Sequence, residues 1–428
     1  FIPQRAARAY SLPMPDEQKD PFEEFFAGSK AEVSTTMAFA RMFSKLLRDK
    51  GIGKHVVPII PDEARTFGMD PLFSQIGIYA AHGQAYEPVD AGLMLKYRES
   101  ATGQLLEEGI TEAGSVASFT AASTSYATHG VPMIPFYMFY SMFGFQRTGD
   151  QMWALGDIRA RGFLMGGTAG RTTLMGEGLQ HADGHSHLLA STIPAIRSYD
   201  PAWAYELAVI VRHGLQEMFV EQKDEIFYIT IHNEAYEMPP MPEGVQEGII
   251  RGLYRFRPAA EPRTHRAQIL ASGPIMREAL RAQQILAEKY DVAADVWSAT
   301  SYLALRREAL EIERWNRHHP DQPARVSYVA SLLDATEGPV ICVSDWMKAV
   351  PDQIARWVRP PFVSLGTDGF GMSDTREVMR RHFEIDAGSI IIATLHQLFN
   401  QGAVSAQVVR QAMEELEYDP EKLDPMSL

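Results

Sequence analysis

Cysteine is nearly absent: one residue, Cys342, stands in a chain of 428. This excludes an intrachain disulfide framework and a thiolate zinc cluster, and it suits a reducing, cytoplasmic compartment. Long apolar runs are missing too, none approaching the roughly 20 residues that span a bilayer. No basic block occurs. Lys and Arg number 40 against 54 Asp and Glu, a net charge of −14. An acid excess spread along the chain argues against nucleic acid or an anionic membrane as partner. The first residues, Phe1-Ile2-Pro3-Gln4-Arg5, carry neither an initiator Met nor the apolar stretch of a signal peptide. They read as the interior of a longer protein.

What is present is the composition of a folded protein, 46% hydrophobic and 22% charged. The length exceeds one ordinary core and predicts two domains. Residues 1–33, with Pro3, Pro13, Pro15 and Pro21, read as an N-terminal arm or linker. From Ser34-Thr35, good helix caps, apolar residues recur at helical spacing through Leu47. Strands are then expected at Val56–Ile60, Val131–Tyr140, Phe163–Met165 and Glu225–Ile231, with a helix over Glu108–Ala122. Asp200-Pro201 has the form of a cap followed by proline in the first helical turn. The Pro- and Gly-rich stretch from Met238 to Gly244 marks a boundary, so residues 34–245 form one expected domain and 246–263 a linker. Residues 264–428 form the second, with strands at Gln268–Ala271, Val292–Trp297, Val340–Val343 and Phe362–Leu365 and helices at Pro274–Lys289, Ser389–Asn400 and Ser405–Leu416. Alternating strands and helices imply parallel pairing, hence an α/β protein of two doubly wound sheet domains.

The densest polar cluster is His181-Ala182-Asp183-Gly184-His185-Ser186-His187. Three imidazoles and a carboxylate could ligate a divalent metal, as in a metal hydrolase using His181, Asp183 and His185. A substrate-contacting loop and a merely solvated loop are the other readings; flanking glycines favour a loop over a rigid ligand helix. Glu112 sits among Ala113, Gly114, Val116 and Phe119. If buried without a cationic partner, it has a raised pKa and can hold a proton near neutrality; if exposed, it is an ordinary helix residue. Six aromatic rings lie between Pro135 and Phe145. Some must be core, while those past the strand end could form a platform for a heteroaromatic ring. Asp62-Glu63 follow the first strand, where α/β sheets bind ligands, though an acidic helix start explains them equally well. Gly166-Gly167-Thr168-Ala169-Gly170-Arg171-Thr172 lacks the spacing and the lysine of a phosphate loop and reads as a turn.

Several stretches together resemble the thiamine-diphosphate enzymes of the transketolase-like group. They are Pro58 through Gly68, Gly109-Ile110-Thr111-Glu112, Pro135 through Arg147, Arg161 through His187, and Leu365 through Gly371. Within that group the chain is most similar to the homodimeric bacterial first components of pyruvate dehydrogenase complexes. The resemblance implies a pyrimidine-binding domain over 34–245 and a transketolase-like C-terminal domain over 264–428. It also implies that an earlier diphosphate-binding domain, with a Gly-Asp-Gly motif and a later Asn holding Mg²⁺, precedes this chain. Here Gly149-Asp150 is followed by Gln151 and Gly156-Asp157 by Ile158, so that motif is absent and no metal ligands are assigned.

By the same resemblance, Glu112 hydrogen-bonds the pyrimidine ring and steers it to the imino tautomer that deprotonates the thiazolium. Ile110, Tyr140 and Phe143 line the cofactor pocket. His181 faces the reacting carbons, and Asp62, Glu63 and Glu177 stand near the site mouth. Pyruvate is the implied substrate, another 2-oxo acid the sibling alternative. The implied partners are a second copy of the chain and the lipoyl-bearing dihydrolipoyl acetyltransferase. The second domain is expected to serve dimer packing, with Asp368 and Asp374 as turn and cap residues. A non-catalytic scaffold fragment is the remaining class.

Overall fold

The computed structural model describes residues 10–16, 20–61, 64–87 and 97–427. They fall into two compact units that do not divide at a single point in sequence. The first takes in the described residues of Phe1–Ala169 with Leu189–Arg197 and Trp203–Met241; the second is Gly170–Leu188, Ser198–Ala202 and Pro242–Leu428.

In the first unit a six-stranded sheet has the order β2-β1-β3-β4-β6-β5. The strands are β1 (Val56–Ile60), β2 (Leu106–Glu107), β3 (Ile134–Tyr140), β4 (Gly162–Gly167), β5 (Ile196–Tyr199) and β6 (Ile226–Thr230). Pairing is parallel from β2 through β6 along that order. Parallel strands need crossovers, and helices α2 (Glu112–Ser123) and α3 (Ser141–Asp157) supply two of them. Helix α1 (Thr35–Leu46) precedes the sheet and starts as its sequence requires, with the Ser34 hydroxyl accepting from the Met37 amide. Helix α4 (Ala204–Leu215) precedes β6.

The aromatic run of β3 is core on both faces, because successive side chains alternate. Phe136 stacks on Phe163 at 4.3 Å and meets Phe43 of α1 at 4.8 Å. Tyr137 and Phe139 point the other way, 4.8 Å apart, and join a buried cluster with Val116, Phe119, Phe145 and Tyr228. The expected arm is partly ordered structure: Ser29–Val33 pairs antiparallel with Tyr236–Met238, and Leu12, Phe22 and Phe25 are buried. Those scattered apolar residues have no helical or strand period, so their burial was not legible.

Past α4 comes a π-helical turn, Gln216–Val220, where buried Glu217 meets two cations and an imidazole. Its carboxylate oxygens lie 2.6 Å from the Lys223 ammonium, 3.1 Å from the Arg197 guanidinium and 3.4 Å from the His213 ring. Burial alone raises this carboxyl's pKa, but the His213 and Lys223 contacts and the Arg197 charge outweigh it and hold it well below the usual carboxylate range. The folded chain therefore releases this proton more readily than the unfolded one. The stabilisation is complete above the ordinary pKa of 4.5 and fades as the pH falls through the lowered value. Glu217→Gln is expected to cost roughly 3 kcal/mol in urea unfolding at pH 7, with the gap to the unsubstituted protein closing on strong acidification. A gap constant with pH rules this linkage out.

The second unit holds five strands: β7 (Tyr254–Arg257), β8 (His265–Ala271), β9 (Val292–Ser298), β10 (Val340–Val343) and β11 (Phe362–Leu365). Their order is β7-β9-β8-β10-β11, with β7 alone antiparallel. Residues 246–263, expected as a linker, instead contain the helix Gln246–Arg251 and edge strand β7. Helix α5 (Met276–Lys289) begins after a 3-10 turn at Gly273–Ile275, and α6 (Tyr302–His318) and α7 (Ala387–Asn400) follow. Asp200 is not a helix cap. Helix α4 starts at Ala204, and buried Asp200 accepts from the Ser272 hydroxyl and the Trp346 indole, each at 2.7 Å. Asp374 accepts from the Thr375 amide just before the helix Arg376–His382, and Asp368 accepts from the Lys348 amide.

Candidate active site

In the first unit the chain leaves β2 and enters α2 through Gly109-Ile110-Thr111. Thr111 caps the helix, its hydroxyl accepting from the Gly114 amide at 3.2 Å. Glu112 is thus the first helical residue, where the helix dipole favours a carboxylate. It is 9% exposed. Ile110, two residues earlier, is 75% exposed. A large aliphatic side chain in the open beside a buried acid is the kind of surface a ring-shaped ligand covers.

The sequence reading left open whether Glu112 has a cationic partner, and the structure supplies one. Arg147 of α3 donates Nη1 to Glu112 Oε1 at 2.8 Å. The same guanidinium lies over the Phe143 ring, 3.9 Å from its centroid. Both contacts follow from helical spacing: Phe143 and Arg147 are four residues apart on one face of α3, and α3 packs on α2. Phe143 in turn meets Tyr140 edge-on at 5.8 Å, and Tyr140 meets Phe67 at 5.5 Å. Glu112, Arg147, Phe143, Tyr140 and Phe67 therefore form one continuous chain of contacts at the carboxyl end of β3. Beneath it, burial first and the Glu112 charge second push the Tyr137 phenol well above its ordinary value, so it stays protonated.

The sequence reading missed Arg147 and Phe67. A cation one helical turn past a platform aromatic was the available signal for Arg147. Phe67 lay inside the quoted stretch Pro58 through Gly68 without receiving a role. Asp62 and Glu63 lie outside the described residues.

The histidine loop belongs to the second unit. Leu179–His181 forms a 3-10 turn, and His181 Nδ1 lies 3.6 Å from Glu177 Oε2, on an exposed side chain. Asp183 is fully buried and accepts from the His185 and Ser186 amides at 2.9 and 3.0 Å. His185 Nδ1 faces Arg171 at 3.4 Å, and His187 packs edge-on against Trp346 at 4.5 Å. The three imidazoles and the carboxylate thus have separate partners. Among the described residues, no three His, Cys, Asp or Glu side chains are grouped to hold a metal ion. The metal-hydrolase reading on His181, Asp183 and His185 fails on that geometry.

The acid, the aromatic wall and the exposed aliphatic of the first unit fit the aminopyrimidine ring of thiamine diphosphate.

Comparison with known proteins gives the chain's family and fold. The family model "Pyruvate dehydrogenase E1 component middle domain" matches residues 12–239, and "Transketolase-like TK C-terminal domain" matches 252–386. The chain is 56% identical over 422 residues to the pyruvate dehydrogenase E1 component of Mycolicibacterium smegmatis, covering 98% of this chain and 45% of that protein. The figures for the Pseudomonas aeruginosa protein of the same name are 51% over 428 residues, 100% and 48%. The chain thus spans about half the length of the curated relatives it matches. Among solved structures, transketolase from Leishmania mexicana superposes with a TM-score of 0.66 at 15% identity, over 90% of this chain and 48% of that one. At that identity the likeness is one of fold, and the fold is transketolase-like α/β.

Proposed function

The chain belongs to the pyruvate dehydrogenase E1 component family, and from that premise we propose that it forms the pyrimidine-binding half of a thiamine-diphosphate site. The whole enzyme would decarboxylate pyruvate and acetylate the lipoyl group of a dihydrolipoyl acetyltransferase, working as a cytoplasmic homodimer. The observation that carries this reading is the buried Glu112 carboxylate beside a Phe143–Tyr140 wall and an exposed Ile110.

When bound, the cofactor supplies the electron sink that makes loss of CO₂ possible. The chain's own residues bind, orient and move a proton. With the cofactor bound, the Glu112 carboxylate would accept a hydrogen bond from, or share a proton with, a ring nitrogen of its pyrimidine. Arg147 fixes the rotamer of that carboxylate, so the proton is exchanged along one direction. Tyr140 and Phe143 offer ring faces and edges to a flat heterocycle and exclude water from one side. Ile110, by the same proposal, closes against the cofactor and loses its exposure. His181 donates a hydrogen bond to the substrate carboxylate or to the oxygen on which charge develops. Glu177, with Asp62 and Glu63, is assigned to the site mouth. Mg²⁺ and the diphosphate would be held by residues of the remainder of the enzyme.

Titrating full-length enzyme with thiamine diphosphate tests the wall. Phe143→Ala is expected to raise the cofactor's apparent Kd about tenfold. A Kd unchanged within twofold counts against the wall. Assays with pyruvate, 2-oxobutanoate and 2-oxoglutarate separate the substrate alternatives, and pyruvate is expected to be preferred.

A further inference from the structure

His181 enters here as the substrate-facing imidazole proposed above. The structure holds the turn that carries it from several sides, with groups that have no other evident task. One residue on, Ala182 is buried, and its carbonyl accepts from Arg171 Nε at 3.3 Å. The Arg171 guanidinium is itself buried. It donates Nη1 to the Thr367 and Gly369 carbonyls and turns Nη2 to His185 Nδ1. A Cβ at Gly184 would stand 2.6 Å from the guanidinium carbon, and one at Gly371 would stand 2.2 Å from Ala182 Cβ. A side chain at either position would have to displace the Arg171 guanidinium or Ala182.

The other end of the segment is tied to Asp345, which is fully buried. One carboxylate oxygen accepts from the Thr172 amide at 2.8 Å; the other accepts from the Thr173 amide and hydroxyl at 2.9 and 2.6 Å. The Gly184 carbonyl accepts from the Met347 amide at 2.8 Å, and the Thr173 carbonyl accepts from Arg376 Nε at 2.7 Å. Burial lowers the pKa of Arg171 while Asp183, Asp345 and Asp368 support its charge. A buried arginine with three carbonyl partners is a costly way to hold a solvated loop, and a segment without a geometric task would not need it.

We propose that Arg171 and Asp345 are positioning residues for His181, fixing segment 170–188 on the second unit so that the imidazole is presented at one depth and orientation. Neither touches substrate in this proposal; each acts through the turn. The planar fork of Arg171 is the specific element, because lysine keeps the charge but cannot serve four directions.

A double-mutant cycle on full-length enzyme tests this, using Arg171→Lys, His181→Ala and both. Arg171→Lys is expected to lower kcat for pyruvate about 10- to 100-fold with little change in KM. It should have no further effect in the His181→Ala background, because there is then no imidazole to misplace. Amides of Ala182, His185 and Ser186 should exchange with deuterium at least about tenfold faster in Arg171→Lys, a readout independent of turnover. If His181→Ala is impaired but Arg171→Lys is not, or if the two losses multiply, the positioning role falls while His181 keeps its place. If His181→Ala turns over normally, the role of His181 itself falls and takes the positioning with it. Should Arg171→Lys fail to fold, Gly371→Ala displaces Ala182 from the opposite side. It must then lower kcat in the presence of His181 and not in its absence. Normal turnover by Gly371→Ala overturns the proposal.

Discussion

Replacing Glu112 with alanine in the full-length enzyme is expected to lower pyruvate turnover about 10²- to 10⁴-fold. The carboxylate is buried at the start of α2 and tied to the aromatic wall through Arg147, and a methyl group can neither accept nor return a proton. The ion pair it makes is half open: Arg147 is 49% exposed and remains solvated when its partner goes. The cost in stability should therefore stay near 1 kcal/mol or below. Loss of turnover without loss of fold separates chemistry from structure. Glu112→Gln sharpens the result, since the amide keeps a hydrogen bond from Arg147 but cannot carry the charge. It should be nearly as inactive as alanine. A glutamine variant with more than about a tenth of normal turnover would mean that the carboxylate is a steric or polar support and no more.

The second large effect concerns stability. Arg161, at the entry to β4, is 2% exposed. It donates Nε and Nη2 to Asp224 Oδ1 at 2.9 and 2.6 Å and Nη2 to the Gln222 carbonyl at 2.8 Å. Its guanidinium lies 3.8 Å over the Tyr126 ring. Asp224→Ala leaves that cation in the interior with one carbonyl and a ring face, and breaking a buried pair from one side costs about 3–5 kcal/mol. Against a typical total of about 5–15 kcal/mol that is a large share. Urea unfolding of the chain measures it. Arg161→Met combined with Asp224→Ala should recover much of the loss, because the desolvated charge leaves with its partner. If the single substitution costs less than about 1 kcal/mol, water reaches the guanidinium and the pair is not a buried one in solution.

How much could be read in advance differs by element, for identifiable reasons. Strands β1, β10 and β11 match their expected limits to the residue. They are short apolar runs bounded by polar or turn residues, which leaves little choice of end. Helix α6 was not anticipated. Its seventeen residues are rich in Arg and Glu and bury few side chains, Tyr302, Leu303, Leu305 and Ala309 among them. Its apolar stripe is therefore too thin to announce itself. Asp200-Pro201 has cap chemistry in a context that overrides it, since Asp200 satisfies an indole and a hydroxyl instead. At the candidate site, Glu112, Tyr140, Phe143 and Ile110 were named from motif resemblance. Arg147 lay inside a quoted stretch without receiving a role, because an ion pair across two helices is invisible until the helices are packed.

The sequence by itself determined the alternation of strands and helices, a small-residue helix that includes Glu112, and the aromatic density of β3; that this helix starts at Glu112 behind a Thr111 cap came from the structure. Each of those three is set by neighbours within a few residues, where backbone preference and apolar period act directly. Only the tertiary structure decided that Glu112 carries an arginine partner, that Phe67 joins the wall, and that the His181 turn is folded with the second unit and anchored by Arg171 and Asp345. Those outcomes join residues 35 to nearly 200 positions apart. Such pairings are selected by the close packing of whole elements, and no local pattern records them.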